Sequence, residues 1–156
     1  MQSVSTPTVG ILVFRNNFQE VLLTKHKETA KHQTGKYGIP AGRLDPRETE
    51  IQALLREFNE ETGLETHERY LTKLPFEYSA TIQRKDEQSR IFTLKVWYCS
   101  NYSGTPTETI ENIPEWINVN NIHELNLLPN MEKVVKDALD YIKINRNLLI
   151  SMFESQ

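Results

Sequence analysis

The stretch from residue 42 to residue 64 constrains the fold most, because its pattern predicts one short amphipathic helix with acidic residues at its far end. Its apolar residues recur at i, i+3, i+4 and i+7 and would form one stripe on a helix. These residues are Ile51, Leu54, Leu55 and Phe58. Thr49 and Gln52 form a capping box that would start the helix, and Gly63 suits the left-handed residue that follows its last turn. We therefore predict a helix that follows Thr49, ends at Thr62 and packs by one face.

Three glutamates at the end of this predicted helix, Glu57, Glu60 and Glu61, share one face because they are spaced i, i+3 and i+4. Like charges at this spacing destabilise a helix by roughly 0.2–0.5 kcal/mol per pair, and acidic groups in the last turn oppose the helix dipole. A bound divalent cation would reverse both effects, since clustered carboxylate oxygens suit Mg²⁺ or Mn²⁺. From helical spacing alone a solvated acidic face is the commoner interpretation, so the wider pattern has to decide.

The residues around these glutamates carry a much more specific pattern than the helix does. Gly42 is followed after five residues by Glu48, and then after seven more by the run Arg56-Glu57-Phe58-Asn59-Glu60-Glu61-Thr62-Gly63-Leu64. This pattern resembles the Nudix box, GX5EX7REUXEEXGU, in which U is an aliphatic residue. All seven fixed positions match, and Phe58 departs only at the first U, where it keeps the apolar role. Seven chance matches have a probability of about 10⁻⁸ per window, given the average frequencies of these residue types.

The resemblance implies a metal-dependent site built on the predicted helix. Glu57, Glu60 and Glu61 would hold Mg²⁺ or Mn²⁺, and Glu60 or Glu61 would also be a candidate general base. In many family members an extra glutamate on a loop well after the box is the base instead. The candidates for this role in the present sequence are Glu108, Glu111 and Glu115.

The remaining fixed positions of the box have supporting roles by the same resemblance. Arg56 would pair with a box glutamate and orient it. Glu48 would be either the partner of Arg56 or an outer ligand of the metal. Gly42 and Gly63 would be structural turn residues, since glycine allows a backbone to approach a ligand closely and adopts the left-handed conformation.

Composition narrows the class of protein before any motif is used. A chain of 156 residues predicts a single domain over 1–156, with residues 1–7 as a loose tail. The net charge of −3 disfavours general nucleic-acid binding. Cys99 is the only cysteine, so no internal disulfide forms, and its apolar surroundings predict a small buried side chain. Without a leader-like N-terminus or an 18-residue apolar run, we predict a cytoplasmic protein with no membrane contact.

The rest of the chain alternates strand-like and helix-like segments. The predicted strands are Thr8–Phe14, buried on both faces, and Glu20–Lys25, which together form a hairpin, then Tyr70–Ser79 and Arg90–Cys99, which form a long antiparallel pair, and Glu115–Val119. Tyr37–Leu44 is predicted as a sharp turn leading into the box. A last helix is predicted from Met131 to about Asn145, and the apolar tail Leu148–Phe153 would prolong it or cover a dimer interface.

Contacts to substrate are predicted at three positions, Lys36, Arg43 and Asn130. The loop 27–36 is rich in basic residues and is either a lid over phosphates or, more commonly for such a run, a solvated loop. Pro129-Asn130 resembles a base-contacting turn of the family. The aromatic residues of the predicted strand 90–99 would line a base pocket or, as strand aromatics more often do, fill the core. These residues are Phe92, Trp97 and Tyr98.

The order of elements resembles the Nudix fold along nearly the whole chain. That fold is an α/β/α sandwich of the α+β class, with a mixed sheet between the box helix and the C-terminal helix. It implies a hydrolase that cleaves the pyrophosphate bond of a nucleotide with a divalent metal, as a monomer or homodimer. A nucleoside triphosphate, giving monophosphate and pyrophosphate, is the first expectation. The sequence Pro40-Ala41-Gly42 resembles that of ADP-sugar hydrolases and keeps ADP-ribose or another nucleoside diphosphate-sugar as the alternative. A non-catalytic nucleotide-binding module is the alternative of another class.

Overall fold

The computed structural model describes residues 5–28, 34–82 and 89–154, with residues 147–154 described as helix backbone. The strands are β1 Thr6–Arg15, β2 Glu20–His26, β3 Tyr37–Gly38, β4 Ala41–Arg43, β5 Leu71–Ile82, β6 Arg90–Cys99 and β7 Asn112–Asn118. The helices are α1 Glu50–Thr62 and α2 Met131–Glu154, with 3₁₀ turns at Glu68–Tyr70 and Val119–Glu124.

The sheet is mixed, and β1 is the strand on which it divides. β1 runs parallel to β6 from Thr6 opposite Phe92 to Val13 opposite Cys99. Its first half also pairs antiparallel with β4, whereas its last residues, Phe14 and Arg15, pair antiparallel with β2. β5 extends one half of the sheet beside β6, and β3 and β7 extend the other half beside β2. The two halves therefore diverge beyond β1 and leave a cleft between them.

Each face of the sheet is covered by one helix. The core under α1 contains alternate residues of β1 with apolar residues of the helix, including Val9, Ile11, Leu54 and Phe58. The side chain of Leu12 in β1 points to the other face of the sheet. There it packs in the core under α2 with Leu23, Leu94, Val134, Val135 and Ala138. Since successive side chains of a strand point to opposite faces, β1 is buried on both, as its continuous apolar run predicts. The α/β/α sandwich is confirmed.

The predicted hairpin of β1 and β2 and the predicted antiparallel pair of β5 and β6 are confirmed. Three boundaries differ from the prediction. Thr6 and Pro7 pair with β6 and are not part of a tail, while residues 1–4 lie outside the described chain. Tyr37–Leu44 contains two short strands, because its backbone pairs with β2 and β1. β7 begins at Asn112, three residues before the predicted start.

The two helices agree with the prediction at their starts. Thr49 and Gln52 form the capping box of α1, and Gly63 ends that helix in the left-handed conformation with φ of 77°. The predicted stripe is buried at Leu54 and Phe58, whereas Leu55 is only half-buried and Ala53 is buried instead. α2 continues to Glu154, so the segment 148–153 prolongs it. No helix of the described chain has the length and apolar character that crossing a membrane requires.

Candidate active site

A cavity of about 370 Å³ lies in the cleft between the two halves of the sheet. Its acidic lining includes the two box glutamates that contact β4, and we call this group of side chains the acidic end: Asp45, Glu57, Glu61 and Glu111. Its apolar lining, which we call the apolar end, consists mainly of Tyr78, Phe92, Leu94, Leu128 and Met131. This volume lies in the range of small-molecule sites, which combine apolar walls with a few placed polar groups. The cavity can therefore take a ligand with one charged part and one flat apolar part.

The turns of α1 decide which box glutamates reach the cavity. Glu57 and Glu61 are four residues apart and both line it. Glu60 has 58% of its side chain exposed and bonds to Arg56 outside the cavity. Within residues 5–28, 34–82 and 89–154, no group of three His, Cys, Asp or Glu side chains is close enough to hold a metal together. The structure thus brings two of the three predicted ligands together and leaves Glu60 apart.

The short strand β4 contacts both cavity glutamates. The N–H of Ala41 donates a hydrogen bond of 2.8 Å to Glu61 Oε2. Gly42 lies against Glu57 so closely that a Cβ there would be 2.1 Å from the carboxyl carbon of Glu57. Any larger residue at position 42 would displace this carboxylate from its place. The fixed glycine of the box is therefore needed for space and not for a turn.

Arg56 organises the carboxylates on the outer side of α1. Its Nε and Nη2 donate to Glu48 at 2.7 and 2.8 Å. Its Nη1 donates to Glu57 at 2.8 Å and to Glu60 at 3.2 Å, and Nη2 also donates to the carbonyl of Arg43 at 3.0 Å. These bonds lower the pKa of Glu48 to about 2 and raise the pKa of Arg56. Of the two predicted roles for Glu48, the structure shows the partner of Arg56.

In contrast to Glu48, the two glutamates that line the cavity, Glu57 and Glu61, have raised pKa values. Burial raises the pKa of Glu57, and the bond from Arg56 opposes this only in part. Burial raises the pKa of Glu61 well above its ordinary value, and the charges of Glu57 and Glu111 add to the effect. A bound divalent cation would lower the cost of keeping these two carboxylates ionised. Carboxylate oxygens are hard donors, which Mg²⁺ and Mn²⁺ prefer, and the positive charge would offset their mutual repulsion. The donor set of the acidic end therefore fits such a cation.

The three glutamates predicted as a base outside the box lie in different surroundings. Glu108 forms an ion pair of 2.8 Å with Lys27 and is 58% exposed. Glu115 accepts a hydrogen bond of 3.2 Å from the hydroxyl of Tyr37. Glu111 alone among them lines the cavity, where its charge acts on Glu61. The structure therefore separates Glu111 from the other two candidates.

The predicted substrate contacts divide in a similar way. Arg43 and Asn130 line the cavity. Asn130 adopts a left-handed φ of 69°, and its amide nitrogen donates to the carbonyl of Ser79 at 3.0 Å. Lys36 does not line the cavity. The middle of the predicted basic lid, residues 29–33, lies outside the described chain.

The aromatic residues of β6 have separate roles. Phe92 lines the apolar end of the cavity, Trp97 is buried in the core under α1, and Tyr98 packs near Phe14 and Phe18. Tyr78 was not predicted for the cavity, although a period of two along β5 places it with Ala80 and Ile82, which also line the cavity. Asn112 was missed as well, and no local pattern of the sequence marks it.

The same fold is found in known proteins. Residues 4–138 match the NUDIX domain model. The 8-oxo-dGTP diphosphatase of Escherichia coli (strain K12) is 26% identical over 128 residues, which are 81% of this chain and 92% of that protein. Among solved structures, the MutT protein from Methanosarcina mazei Go1 has a TM-score of 0.72 at 19% identity, covering 92% of this chain and 98% of its own.

A second solved structure is similar to this fold with a ligand present. The NUDIX domain of Shewanella oneidensis NrtR, complexed with ADP ribose, has a TM-score of 0.67 at 17% identity, with 90% of each chain covered. Because the sequence identities are only 19% for the MutT structure and 17% for the NrtR domain, these two structures show a shared fold and no shared role. The family model covers most of the chain, and proteins of this family generally use a divalent metal such as Mg²⁺. The chain therefore belongs to the Nudix family and is a MutT-like hydrolase that acts on nucleotide derivatives.

Proposed function

We propose that this protein hydrolyses a nucleoside triphosphate to a nucleoside monophosphate and pyrophosphate, with Mg²⁺ or Mn²⁺ as cofactor. The observation that carries the proposal is that one cavity is lined both by a group of carboxylates and by a group of aromatic and aliphatic side chains. A nucleotide has the matching division between its phosphates and its base. The similarity to an 8-oxo-dGTP diphosphatase over most of both chains supports a triphosphate as substrate.

Glu57 and Glu61 would hold the cation at the acidic end, since both residues are half-buried there and no cationic side chain compensates both carboxylates. Glu60 remains a predicted third ligand, on the evidence of the motif and not of its position. When bound, the cation would neutralise phosphate charge and favour in-line attack of water at phosphorus. Arg56 and Glu48 would act through Glu57, by fixing the direction of its carboxylate.

Glu111 is our candidate for the general base. It lines the cavity close enough for its charge to act on Glu61, so its carboxylate could take the proton of a water molecule bound at the acidic end. The water oxygen would bond to phosphorus, its proton would pass to the carboxylate of Glu111, and the bridging P–O bond would break towards the leaving phosphate. Both products retain their phosphate groups, and the glycosidic bond is untouched.

The apolar end would hold the base between flat and aliphatic side chains. Tyr78 and Phe92 would offer aromatic surface to the base. Leu128, just before α2, and Met131, its first residue, line the same cavity with aliphatic surface. Asn130 would contact the edge of the base, and Arg43, near the box glutamates, would contact phosphate. Asn130 donates one amide N–H to Ser79, so its oxygen and its second N–H are left to accept from and donate to a base.

A nucleoside diphosphate-sugar such as ADP-ribose is the second candidate substrate. The sequence Pro40-Ala41-Gly42 supports it by its resemblance, and the similar fold that binds ADP ribose supports it by analogy. With such a substrate the same attack would give a monophosphate and a sugar phosphate.

The experiment that tests the proposal is hydrolysis of a panel of nucleotides in ¹⁸O-labelled water, with Mg²⁺ or with EDTA, and with products identified by mass. We expect pyrophosphate and a monophosphate from at least one triphosphate, metal dependence, and label in one product only. Preference for ADP-ribose, with sugar phosphate released, would favour the second candidate. Free base, free sugar, or orthophosphate as the main product from a triphosphate would contradict the mechanism for both. Binding of nucleotide without turnover would favour a non-catalytic module.

A further inference from the structure

Asn112, the first residue of β7, is a buried polar residue that the proposed mechanism does not use. Only 6% of it is exposed, and its Oδ1 has no hydrogen-bond partner in the described chain. The backbone around it is fixed, because its N–H donates to Thr109 Oγ1 at 3.1 Å and its carbonyl accepts from the Thr109 N–H at 2.9 Å. Buried polar atoms without a partner are rare and destabilise the fold. Because Asn112 also lines the ligand cavity, we take its unpartnered oxygen as an indication that a ligand supplies the missing donor.

The strand register shows where this side chain points. In the pairing of β7 with β2, Trp116 lies opposite Leu22, and both pack in the core under α1. Asn112 lies four residues before Trp116 on the same strand, so the two side chains share a face. The segment before it is tied to the end of α1, since the Thr107 N–H donates to the carbonyl of Thr62 at 2.8 Å. Asn112 therefore faces the helix that carries the box glutamates.

The cavity wall to which Asn112 belongs is rich in acceptors, although His26, opposite Asn112 on β2, and Arg43 also line the cavity. Asn112 shares the cavity wall with Glu57, Glu61 and Glu111. The Ala41 N–H donates to Glu61, and Arg56 donates to Glu57 from the outer side. An ionised phosphate oxygen is an acceptor too, so it has no hydrogen to donate to Oδ1. A hydrated cation, in contrast, presents water hydrogens outward to several acceptors at once, and Mg²⁺ usually keeps several of its waters when a protein binds it.

We propose that Asn112 is a positioning residue of the cation site, whose Oδ1 accepts a hydrogen bond from a water molecule in the hydration shell of the divalent cation beside Glu61. The inference rests on the proposed function, from which it takes the cation. Partners of this outer kind orient a metal site, and their loss typically lowers metal affinity about 10- to 100-fold. The same bond satisfies the buried oxygen and removes the cost of its burial.

Three variants test the role of this oxygen through metal binding. Asn112→Leu removes the acceptor at similar size, Asn112→Asp keeps an oxygen at the same place, and Asn120→Leu makes the same change at an exposed residue outside the cavity. For each, Mn²⁺ affinity is measured from the electron paramagnetic resonance signal of free Mn²⁺, and melting temperature is measured in EDTA. These two readouts separate a ligand role from a purely structural one.

We expect Asn112→Leu to melt in EDTA at or above the wild-type temperature, because the buried acceptor is gone, while its Kd for Mn²⁺ rises at least about tenfold. Asn112→Asp should bind Mn²⁺ at least as tightly as wild type and melt lower in EDTA, since it adds a charge to an acidic wall. Asn120→Leu should leave the Kd for Mn²⁺ unchanged.

Two results would overturn the inference. One is a Kd for Mn²⁺ within twofold of wild type in folded Asn112→Leu. The other, which applies even if the leucine variant fails to fold, is a tenfold loss of affinity in folded Asn112→Asp. Unchanged Mn²⁺ binding by Asn112→Leu with a higher KM only for ribonucleotides would assign the oxygen to a sugar hydroxyl instead. A parallel activity assay of the wild-type protein tests the proposed function separately. Absence of metal-dependent hydrolysis in that assay would refute the proposed function itself.

Discussion

The carboxylates around α1 form two groups that differ in their electrostatic compensation. On the outer side, Glu48 and Glu60 bond to the guanidinium of Arg56. On the cavity side, Glu61 receives one backbone N–H and is repelled by Glu57 and Glu111. Glu57 belongs to both groups, because it lines the cavity and bonds to Arg56. The same residue type thus has a lowered pKa at Glu48 and a raised pKa at Glu61 within one small region.

This difference separates stability from binding. Glu48 is satisfied within the chain by Arg56 and should stabilise the folded protein, whereas Glu60 is largely exposed and stays a predicted third ligand. The cavity carboxylates are compensated only in part, by Arg56 at Glu57 and by the Ala41 N–H at Glu61, so we expect them to destabilise the metal-free fold and to favour a cation. Buried charges that a protein retains at a cost are commonly found at functional sites. Changes to the two groups should therefore have opposite effects on stability and on activity.

The largest effect is expected on the cavity side, from Glu61→Gln. Loss of this carboxylate should lower kcat at least about a hundredfold, the scale of removing one strong electrostatic stabiliser. The metal-free variant should melt at or above the wild-type temperature, since a buried charge is lost. Steady-state hydrolysis at saturating Mg²⁺ and thermal melts in EDTA measure the two effects. Glu124→Gln, an exposed glutamate in the 3₁₀ turn, is the matched control. Turnover close to wild type in Glu61→Gln would contradict the assignment.

A divalent cation should stabilise the wild-type protein, because it compensates the cavity side. Binding to the native state alone contributes about 2.7 kcal/mol at a hundred times Kd. For a chain of this size that corresponds to a rise in melting temperature of roughly 5–10 °C, at about 2–4 °C per kcal/mol. Melts with EDTA and with Mg²⁺ or Mn²⁺ measure the rise, and Glu61→Gln should reduce it. Identical wild-type curves with and without metal would count against a site formed before substrate binds.

Arg56→Gln should have the opposite pattern from Glu61→Gln, since it removes the compensation of the outer side. Breaking a buried ion pair costs about 3–5 kcal/mol, and we expect about 2 kcal/mol here because a quarter of Arg56 is exposed to solvent. The melting temperature should therefore fall by roughly 4–8 °C with or without metal. Urea or thermal unfolding measures the change. A variant that melts as wild type does would show that Arg56 acts on Glu57 without stabilising the fold.

The sequence predicts the local parts of this comparison and misses the parts that depend on distant contacts. The capping box at Thr49, the end of α1 at Gly63 and the double burial of β1 follow from neighbouring residues, and all three are confirmed. β4 was predicted as a turn, because three residues contain no strand pattern of their own. It is a strand only because β1 pairs with it.

At the candidate active site, too, the sequence does not predict features that depend on contacts between distant parts of the chain. The motif selects Glu57, Glu60 and Glu61 together, since helical spacing treats all three alike. What separates Glu61 from Glu60 is the backbone of Ala41, which is twenty residues away in the chain. Glu111 and Asn112 reach the cavity because β7 pairs with β2, an arrangement that no local pattern near them indicates. Residue types at the site are therefore predictable, whereas their burial and partners are not.

The smallest predicted effect concerns Glu48, and it depends on pH. The bonds from Arg56 lower the pKa of Glu48 from 4.5 to about 2, so the folded state favours the ionised form. Because its pKa is lower in the folded state, Glu48 contributes stability that is fully present above pH 4.5 and is lost as the pH falls towards 2. Glu48→Gln should therefore cost about 1–2 kcal/mol near pH 7, the range of a hydrogen bond to a charged group at a part-exposed site.

The difference in unfolding free energy between wild type and Glu48→Gln should shrink steadily as the pH is lowered below 4.5, because wild type alone loses this contribution. Urea unfolding at several pH values, in EDTA so that no metal contributes, measures it. Asp140→Asn, at an exposed position of α2, is the control variant measured in parallel. A difference that stays constant from pH 7 to pH 3 would mean that Glu48 stabilises the fold by shape and not by its charge, and the contrast between the two sides of α1 would then rest on burial alone.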